Sequence, residues 1–246
     1  MPVGSVVSMF DYSGNMCVPW AFHGHTCYAL DLAQDRERVE EYSSGGKVIF
    51  LKANLNDNSE LLYIICKLNP YILFGFPPCT HLAVLGAKHF SSKFLLNVNF
   101  QDEAIDLCRT VELVGDAVSC PWFIENPVSR LATLWRTPDY YFDPRDYGGY
   151  LGDCDRHPHY PEYIPPRDAY TKRTCLWTGN GFIMPTPRPV MARVHVDSEG
   201  NTGSLAFAKL GGKSERTKTI RSETPRGFAW ASWNANGQSV KARVAG

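Results

Sequence analysis

The fold of this chain is decided by one stretch, which runs Tyr71-Ile72-Leu73-Phe74-Gly75-Phe76-Pro77-Pro78-Cys79-Thr80. Its first four residues are apolar and have the length and composition of a buried strand. Pro77 and Pro78 cannot continue a central strand, so the chain must leave the sheet there. Cys79 is therefore expected on a stiff loop beyond the carboxyl end of a strand, where open α/β sheets bind ligands. Taken alone, the thiol fits a catalytic nucleophile and a small buried hydrophobic residue equally well.

Composition sets the outer limits of what the chain can be. Its 246 residues allow one large domain, or one domain with a small appendage. The 25 Lys and Arg residues balance the 25 Asp and Glu residues, so any contact with a nucleic acid would have to rest on a local patch. No apolar run is long enough to span a membrane. The start does not have the pattern of a signal peptide, and the eight scattered cysteines are then expected to be reduced thiols in the cytoplasm.

The first 31 residues have the pattern of a nucleotide-binding βαβ unit. The expected order is strand, turn, helix, strand and acid, over Ser5–Phe10, Asp11–Asn15, Met16–His23, Thr26–Leu30 and Asp31. In such a unit the turn meets the cofactor and the acid accepts from ribose hydroxyls. A single glycine in the turn disfavours a pyrophosphate ligand and favours a cofactor without phosphates, such as S-adenosylmethionine. A surface turn followed by a solvated Asp31 is the alternative.

The remaining pattern extends this α/β arrangement. Further strands are predicted at Lys47–Leu51, Pro121–Ile124 and Lys172–Trp177, and helices at Ser59–Leu68 (capped near Asn58), at Gln101–Val118, and from Thr224 as N-cap with Pro225 in the first turn. Gln34–Tyr42 is a charged stretch for which no element is predicted, and His81–Phe94 is predicted to be a mobile loop.

Glu125 follows the predicted strand Pro121–Ile124 and stands before Asn126 and Pro127. If that strand lies parallel to the one that leads to Cys79, their carboxyl ends bring Glu125 and Cys79 together. A carboxylate raises the pKa of a neighbouring thiol, so Glu125 is better suited to hold a substrate ring than to activate Cys79.

Two other groups of residues have open interpretations. Cys154, His157 and His159 could belong to a zinc site, but a fourth ligand is not evident, and simple loop residues are favoured. The tract Lys209–Lys218 is basic and rich in glycine, which fits a loop over phosphates and a solvated loop equally well.

In this order the motifs resemble those of the DNA (cytosine-5) methyltransferase family, particularly its short phage and prophage members. The matching pieces are Phe10-Asp11-Tyr12-Ser13-Gly14 for the first cofactor motif, Asp31 for the ribose-binding acid, Pro77-Pro78-Cys79 for the catalytic Pro-Cys, Glu125-Asn126-Pro127 for Glu-Asn-Val, and Arg221-Ser222-Glu223-Thr224-Pro225-Arg226 for Arg-x-x-Thr-Pro-Arg. Together they span nearly the whole chain.

The chain departs from the family pattern in four places, one of which is Pro127, where the family has the valine of Glu-Asn-Val. The family's Gln-x-Arg-x-Arg is absent, and Lys172-Arg173-Thr174 stands in about its place, which points to Arg173. The adenine-contacting acid is replaced by Asn54, unless Asp57 takes its role. The target-recognition segment is reduced to 179–220, which leaves sequence specificity and the need for duplex DNA open.

The resemblance implies a Rossmann-like methyltransferase fold with a mostly parallel sheet, in which 1–178 and 221–246 form the catalytic domain. It implies methyl transfer from S-adenosylmethionine to position 5 of cytosine in DNA, through a covalent adduct of Cys79. Glu125, protonated, would hold the ring N3 and the exocyclic amine, and Arg173 the base O2. The implied cofactor contacts are Phe10, Asp11, Tyr12, Ser13, Gly14, Asp31, Asn54, Leu55 and Pro77, and the implied DNA contacts are Lys88, Lys209, Lys213, Arg216 and Lys218.

The expected protein is a monomer or weak dimer in the cytoplasm of a bacterial or phage-infected cell. Two alternatives remain. The enzyme could instead modify a free cytosine nucleotide, or use a variant sulfonium donor, which the short recognition segment suggests. Alternatively, the chain could be a degenerate methyltransferase fold that binds DNA without catalysis, as the departures at Asn54 and at Gln-x-Arg-x-Arg suggest.

Overall fold

The computed structural model describes residues 4–83, 90–196, 202–204, 210 and 214–244. Within these residues one sheet contains eight strands: β1 (Ser5–Met9), β2 (Thr26–Asp31), β3 (Arg38–Glu41), β4 (Lys47–Lys52), β5 (Pro70–Gly75), β6 (Trp122–Pro127), β7 (Tyr140–Phe142) and β8 (Thr174–Gly179). A separate hairpin consists of β9 (Val194–Val196) and β10 (Thr202–Ser204).

The helices lie mainly between these strands. They are α1 (Val18–Phe22), α2 (Asn58–Tyr63), α3 (Phe90–Leu96), α4 (Phe100–Ala117), α5 (Leu131–Leu134), α6 (Glu215–Ser222) and α7 (Arg226–Val244). A π-helical turn, Ile64–Leu68, extends α2, and 3₁₀ turns occupy Pro144–Tyr150 and Pro166–Asp168.

The strand order of the sheet is β3-β4-β2-β1-β5-β6-β8-β7. The five strands from β4 to β6 in this order run parallel, whereas β3, at one edge, is antiparallel to β4, and β8 is antiparallel to both β6 and β7. The expected fold class, α/β with a mostly parallel central sheet, is thus confirmed. The chain builds outward from β1 on one side and then returns to place β5 on the other, so a topological switch point lies between the carboxyl ends of β1 and β5.

Helices cover both faces of the sheet, which explains the continuous apolar runs of the central strands. On β1, Val7 belongs to a buried cluster with residues of α2 and α4, whereas Val6 belongs to a second cluster with residues of α1 and α7. Leu73 and Phe74 of β5 divide in the same way between the two clusters. The sheet is therefore a rigid central layer that fixes the relative positions of the loops at its carboxyl edge.

The predicted strands are confirmed with shifts of one to three residues at their ends, and β6 continues through Glu125 and Asn126 to Pro127. The charged stretch 34–42 contains β3, an edge strand that is largely exposed and therefore lacks an apolar face. The predicted loop His81–Phe94 is corrected, because it includes the start of α3; its residues 84–89 lie outside the described part. The cap predicted near Asn58 is Asp57, whose carboxylate accepts from Ser59 N at 2.8 Å.

The helix predicted to open at Thr224 starts two residues later. α7 begins at Arg226, and the carbonyl of Pro225 accepts from Ala229 N at 3.1 Å.

Much of the segment 179–220 is attached to the main body. Arg188 N donates to Asp146 O at 2.8 Å and Arg193 N donates to Ala169 O at 2.7 Å. Further along, Ile220 of α6 is buried in a small cluster with Ile164 and Tyr170. Every residue of β9 is exposed.

No helix in the described ranges has the length and apolar character needed to cross a membrane.

Candidate active site

Two loops meet at the carboxyl edge of the sheet, on either side of the switch point. The first, 10–15, follows β1, and the second, 76–83, follows β5. Phe76 N donates to Met9 O at 3.0 Å and so joins the start of the second loop to the end of β1. The predicted cofactor turn and the predicted nucleophile therefore flank one crevice, which is the position at which open α/β sheets bind ligands.

The turn after β1 is organised around Asp11, whose side chain is 3 % exposed. Its carboxylate accepts from Ser8 Oγ at 2.7 Å, from Ser13 Oγ at 2.9 Å and from Gly14 N at 2.7 Å. Burial raises the pKa of Asp11, whereas these hydrogen bonds favour the charged form. The Asp11 carboxylate is thus engaged in shaping the turn, although the sequence suggested a direct contact with the cofactor.

Gly14 is required by the geometry of this turn. Its φ angle is +69°, and a Cβ at this position would lie 2.6 Å from a ring carbon of Phe50. The turn can therefore pack directly on the buried Phe50 side chain only with glycine here. Phe10 also has a positive φ angle, +58°, at the point where the chain turns out of β1.

The other predicted cofactor residues lie at the ends of β2 and β4. Asp31 is half-buried, and its Oδ1 accepts from Ala33 N at 2.7 Å, while its Oδ2 accepts no hydrogen bond from a described residue. Burial raises the pKa of this carboxyl. Leu55 is buried and Asn54 is exposed. Asp57, the alternative for the adenine contact, is engaged in capping α2.

The loop that carries Cys79 is held from β6 and the segment after it. Asn126, which is buried, donates from Nδ2 to the carbonyl of Pro77 at 3.0 Å. Arg130 N donates to Leu82 O at 3.0 Å. Within the loop, the Cys79 carbonyl accepts from Leu82 N and Ala83 N at 3.0 and 2.8 Å. Asn126 thus fixes the loop two residues before the thiol. The sequence singled out its neighbour Glu125 but did not predict this positioning role for Asn126.

The thiol of Cys79 is half-buried and interacts electrostatically with Glu125. The register of β5 and β6 pairs Gly75 with Ile124, so Glu125 lies within β6 one residue past this pair, and Cys79 lies on the loop four residues past Gly75. Burial raises the pKa of the Cys79 thiol, Glu125 raises it further, and Lys172 lowers it. Burial likewise raises the pKa of Glu125, which favours its protonated form, and Lys172 opposes this shift.

The polar atoms of Glu125 are incompletely satisfied by the described residues. Thr174 lies near the Glu125 carboxyl and lowers its pKa, but the Thr174 hydroxyl donates its proton to Lys172 O at 2.8 Å. Glu125 Oε1 is buried and has no hydrogen-bond partner within the part of the chain that the structure describes. A buried polar oxygen without a partner is costly, so this atom is suited to bind a donor on a ligand.

The cation beside these two groups is Lys172, whereas the sequence pointed to its neighbour Arg173. Lys172 Nζ donates to the carbonyl of Arg221 at 3.1 Å. Arg173 is exposed, and its guanidinium lies over the ring of Tyr141, 4.9 Å from the centroid. The sequence marked a basic pair before β8 but gave no indication of which member faces the site.

A buried polar cluster joins the turn after β1 to the start of α7. Asn15 Nδ2 donates to Glu223 Oε2, and His157 Nε2 lies 3.9 Å from the same oxygen. Burial raises the pKa of Glu223 to about 7 and lowers that of His157 to about 4. The Arg221–Arg226 motif therefore supports the turn through Glu223.

The predicted DNA contacts are only partly covered by the structure. Lys88, Lys209 and Lys213 lie outside the described residues. Arg216 and Lys218 are exposed on α6, where the sequence had predicted a loop. Arg216 lies 3.6 Å from the carboxylate of Glu162, in an ion pair on the surface.

No group of three or more His, Cys, Asp or Glu side chains within the described ranges is placed to hold a metal ion. This includes Cys154, His157 and His159, which the sequence had raised as a possible zinc site.

No family model and no curated protein matches the chain. Among solved structures, the chain is similar to an Escherichia coli protein with a proposed role as a DNA modification methyltransferase, encoded within a prophage. The two are 11% identical with a TM-score of 0.42, over 76% of this chain and 53% of that chain. The chain thus spans about half of the length of that protein, and a likeness at this level assigns neither an activity nor a substrate.

Proposed function

We propose that the chain transfers a methyl group from S-adenosylmethionine to position 5 of cytosine in DNA, with Cys79 as the nucleophile. The observation that carries this proposal is the electrostatic interaction of Cys79, on the loop after β5, with Glu125, on the adjacent strand β6, beside the switch point. A thiol next to a carboxyl whose pKa is raised by burial suits addition to a pyrimidine ring. The order of the motifs along the chain supports the same reaction.

The first step is the attack of the Cys79 thiolate on carbon 6 of cytosine. The Sγ–C6 bond forms, and the electrons of the C5–C6 double bond move toward the ring N3, which gives carbon 5 the character of an enamine. Glu125 stabilises the charge that develops at N3 by donating its proton there, and its other oxygen accepts from the exocyclic amine. Donors fixed in place before the reaction are among the largest catalytic contributions that a site can make.

The remaining steps restore the aromatic ring. After methylation, N3 returns its proton to Glu125, a base from the solvent removes the proton at carbon 5, the C5–C6 double bond forms again, and Cys79 leaves as a thiolate. In duplex DNA the target base would have to be flipped out of the stack to reach the thiol. The prediction that Arg173 binds the base O2 is retained as part of the proposal, although this side chain lies over Tyr141 in the unliganded protein.

The crevice has features that fit the proposed cofactor. Asp31 offers Oδ2 to a ribose hydroxyl, the turn 10–15 provides a tightly packed backbone wall, and Leu55 is an apolar neighbour at the end of β4. When bound there, S-adenosylmethionine supplies an electrophilic methyl group. The protein's part is to hold it beside the loop of Cys79, and Asn126 and Phe76 keep that loop next to β1.

The proposal is tested by measuring the incorporation of labelled methyl groups into DNA by the wild-type protein and by Cys79→Ser. We expect incorporation by the wild type and its loss in the variant, since the hydroxyl of serine is a far weaker nucleophile. Cys66→Ser, at an exposed cysteine on the π-helical turn, is the matched control and should retain activity. Activity of Cys79→Ser close to that of the wild type would contradict the mechanism.

A second candidate is a cytosine nucleotide as substrate. It is favoured by the attachment of Arg188, Arg193 and Ile220, all in segment 179–220, to the main body. The same assay with dCMP in place of DNA distinguishes the two substrates. Methylation of dCMP but not of DNA would support this candidate and exclude the first.

A further inference from the structure

We propose that Lys172 is the residue that stabilises the Cys79 thiolate, and that the main-chain carbonyl of Arg221 holds its ammonium group in place. This inference deepens the proposed function, on which it rests for the identity of the nucleophile. It assigns a role to a residue that the motif pattern passes over in favour of Arg173.

The first argument is the way in which Lys172 is fixed. Its backbone N donates to Asp143 Oδ1 at 2.7 Å, and its carbonyl accepts from Thr174 Oγ1 at 2.8 Å. At the other end of the side chain, Nζ donates to Arg221 O at 3.1 Å. A lysine side chain held at both ends has already lost much of its conformational freedom, so its charge is directed to one place.

The second argument is the position of that charge. Glu125 lies opposite Leu176 and Pro127 lies opposite Thr174 in the β6–β8 ladder, so alternation along β8 puts Leu176 and Thr174 on the face of the sheet that carries Glu125. Lys172, two residues before Thr174, therefore enters the sheet on the side where β6 delivers Glu125. Its charge acts on both Cys79 and Glu125 and favours the ionised form of each. The Arg221 carbonyl is neutral, so it holds Lys172 without cancelling its charge.

The need for such a cation follows from the rest of the site. Burial and the neighbouring Glu125 both disfavour the Cys79 thiolate. A nucleophilic cysteine depends on its thiolate, and a nearby cation is one of the ways in which proteins form it. Deprotonation transfers the thiol proton to solvent and leaves a negative sulfur, which Lys172 then stabilises until the sulfur attacks carbon 6.

The experiment measures the thiol directly. The rate of alkylation of Cys79 by iodoacetamide is followed by mass spectrometry of its peptide between pH 6 and pH 10, which separates it from the seven other cysteines. Four proteins are compared: wild type, Lys172→Gln, Lys172→Arg and Arg173→Gln. Arg173→Gln is the matched control, because it removes the same charge one residue away, from a side chain that lies over Tyr141.

We expect Lys172→Gln to raise the apparent pKa of Cys79 and to slow its alkylation at pH 7.5 by about tenfold. Lys172→Arg should recover most of the rate and Arg173→Gln should leave it unchanged. Equal rates in Lys172→Gln and the wild type would overturn the inference, as would equal slowing in Lys172→Gln and Arg173→Gln. Circular dichroism and thermal unfolding confirm that each variant is folded, and for a Gln variant that fails, Lys172→Met replaces it.

The outcomes separate this inference from the proposed function. If Lys172→Gln slows alkylation but the wild type methylates no cytosine, the role of Lys172 stands and the proposed function fails. If the wild type methylates DNA but alkylation is unaffected by the loss of Lys172, the function stands and this inference fails.

Discussion

The two loops that flank the crevice differ in how completely the protein satisfies their polar groups. In the turn after β1, the Asp11 carboxylate accepts three hydrogen bonds from its own turn and strand, and the turn packs against Phe50. In the loop after β5, Asn126 holds the carbonyl of Pro77, two residues before Cys79, while Glu125 Oε1, on the adjacent strand β6, is buried without a partner among the described residues. The polar groups of the first loop are satisfied by the protein itself. Beside the second loop, Glu125 Oε1 lacks a hydrogen-bond donor, which a substrate can supply.

This difference indicates that one loop mainly determines the stability of the site and the other its reactivity. Changes in the turn after β1 should act first on the free energy of unfolding. Changes around Cys79 should act first on thiol reactivity and turnover. Four predictions test this separation, beginning with the largest expected effect.

Asp11→Ala should be the most damaging substitution. It leaves Ser8, Ser13 and the backbone N of Gly14 without their acceptor in a buried place, so we expect a loss of about 3–5 kcal/mol in the free energy of unfolding. Urea unfolding measures it. Cys79→Ala provides the contrast, with a loss of less than about 1 kcal/mol. A stable Asp11→Ala protein would show that this turn does not determine the stability of the site.

Glu223→Gln should change how stability depends on pH. The pKa of Glu223 is raised from its ordinary 4.5 to about 7, so the folded state holds the proton more tightly than the unfolded state. This group therefore stabilises the fold less as pH rises from about 4.5 to 7, by up to about 3 kcal/mol in total. His157, whose pKa is lowered to about 4, has the opposite slope up to about pH 6.5, but it is present in both proteins.

Unfolding of the wild type and Glu223→Gln between pH 4 and pH 8 measures this effect as a difference. The variant should gain stability relative to the wild type as pH rises, and the gain should level off above pH 7. A difference that is constant with pH would contradict the burial of Glu223 against Asn15.

Asn126→Ala should affect both quantities moderately. It removes the donor to the Pro77 carbonyl, which costs about 1–3 kcal/mol for a buried hydrogen bond, and it releases the loop of Cys79. We expect kcat to fall more than the affinity for S-adenosylmethionine, since the turn after β1 is untouched. Ser129→Ala, which removes the weaker 3.3 Å bond to Asn126 Oδ1, is the control with a smaller effect. A fall in cofactor affinity without a fall in kcat would reverse the assignment of the two loops.

Glu125→Gln should separate thiol reactivity from turnover. The protonated Glu125 of the proposed mechanism carries no charge, so glutamine should leave the alkylation of Cys79 by iodoacetamide close to the wild-type rate near neutral pH. Methyl transfer should nevertheless become slower, because glutamine cannot donate a proton to the ring N3. If both rates fell together, Glu125 would act on the thiol instead of on the substrate.

The sequence was sufficient where one local pattern determines the structure. Apolar runs located the central strands because these are buried on both faces, and Pro77 and Pro78 located the end of β5 because proline cannot continue a central strand. The strand β3 was missed because an exposed edge strand has no apolar face to reveal it.

Other features depend on contacts between distant parts of the chain. Asn15 and Glu223 are 208 positions apart, and nothing near either residue indicates their hydrogen bond. Similarly, the choice between Lys172 and Arg173 depends on the Arg221 carbonyl, 49 positions from Lys172. The sequence identified which residue types the proposed chemistry requires, but the fold is needed to show that Lys172, and not Arg173, lowers the pKa of Cys79.

The most direct test of the central claim is covalent trapping with DNA that contains 5-fluorocytosine, in the presence of S-adenosylmethionine. The fluorine at position 5 cannot be removed as a proton would be, so Cys79 should remain bonded to carbon 6. We predict an adduct that survives denaturing electrophoresis, maps to the peptide of Cys79, and is absent from Cys79→Ser. The absence of an adduct from the wild type under conditions in which it binds the DNA, or an adduct that persists in Cys79→Ser, would contradict the proposed mechanism.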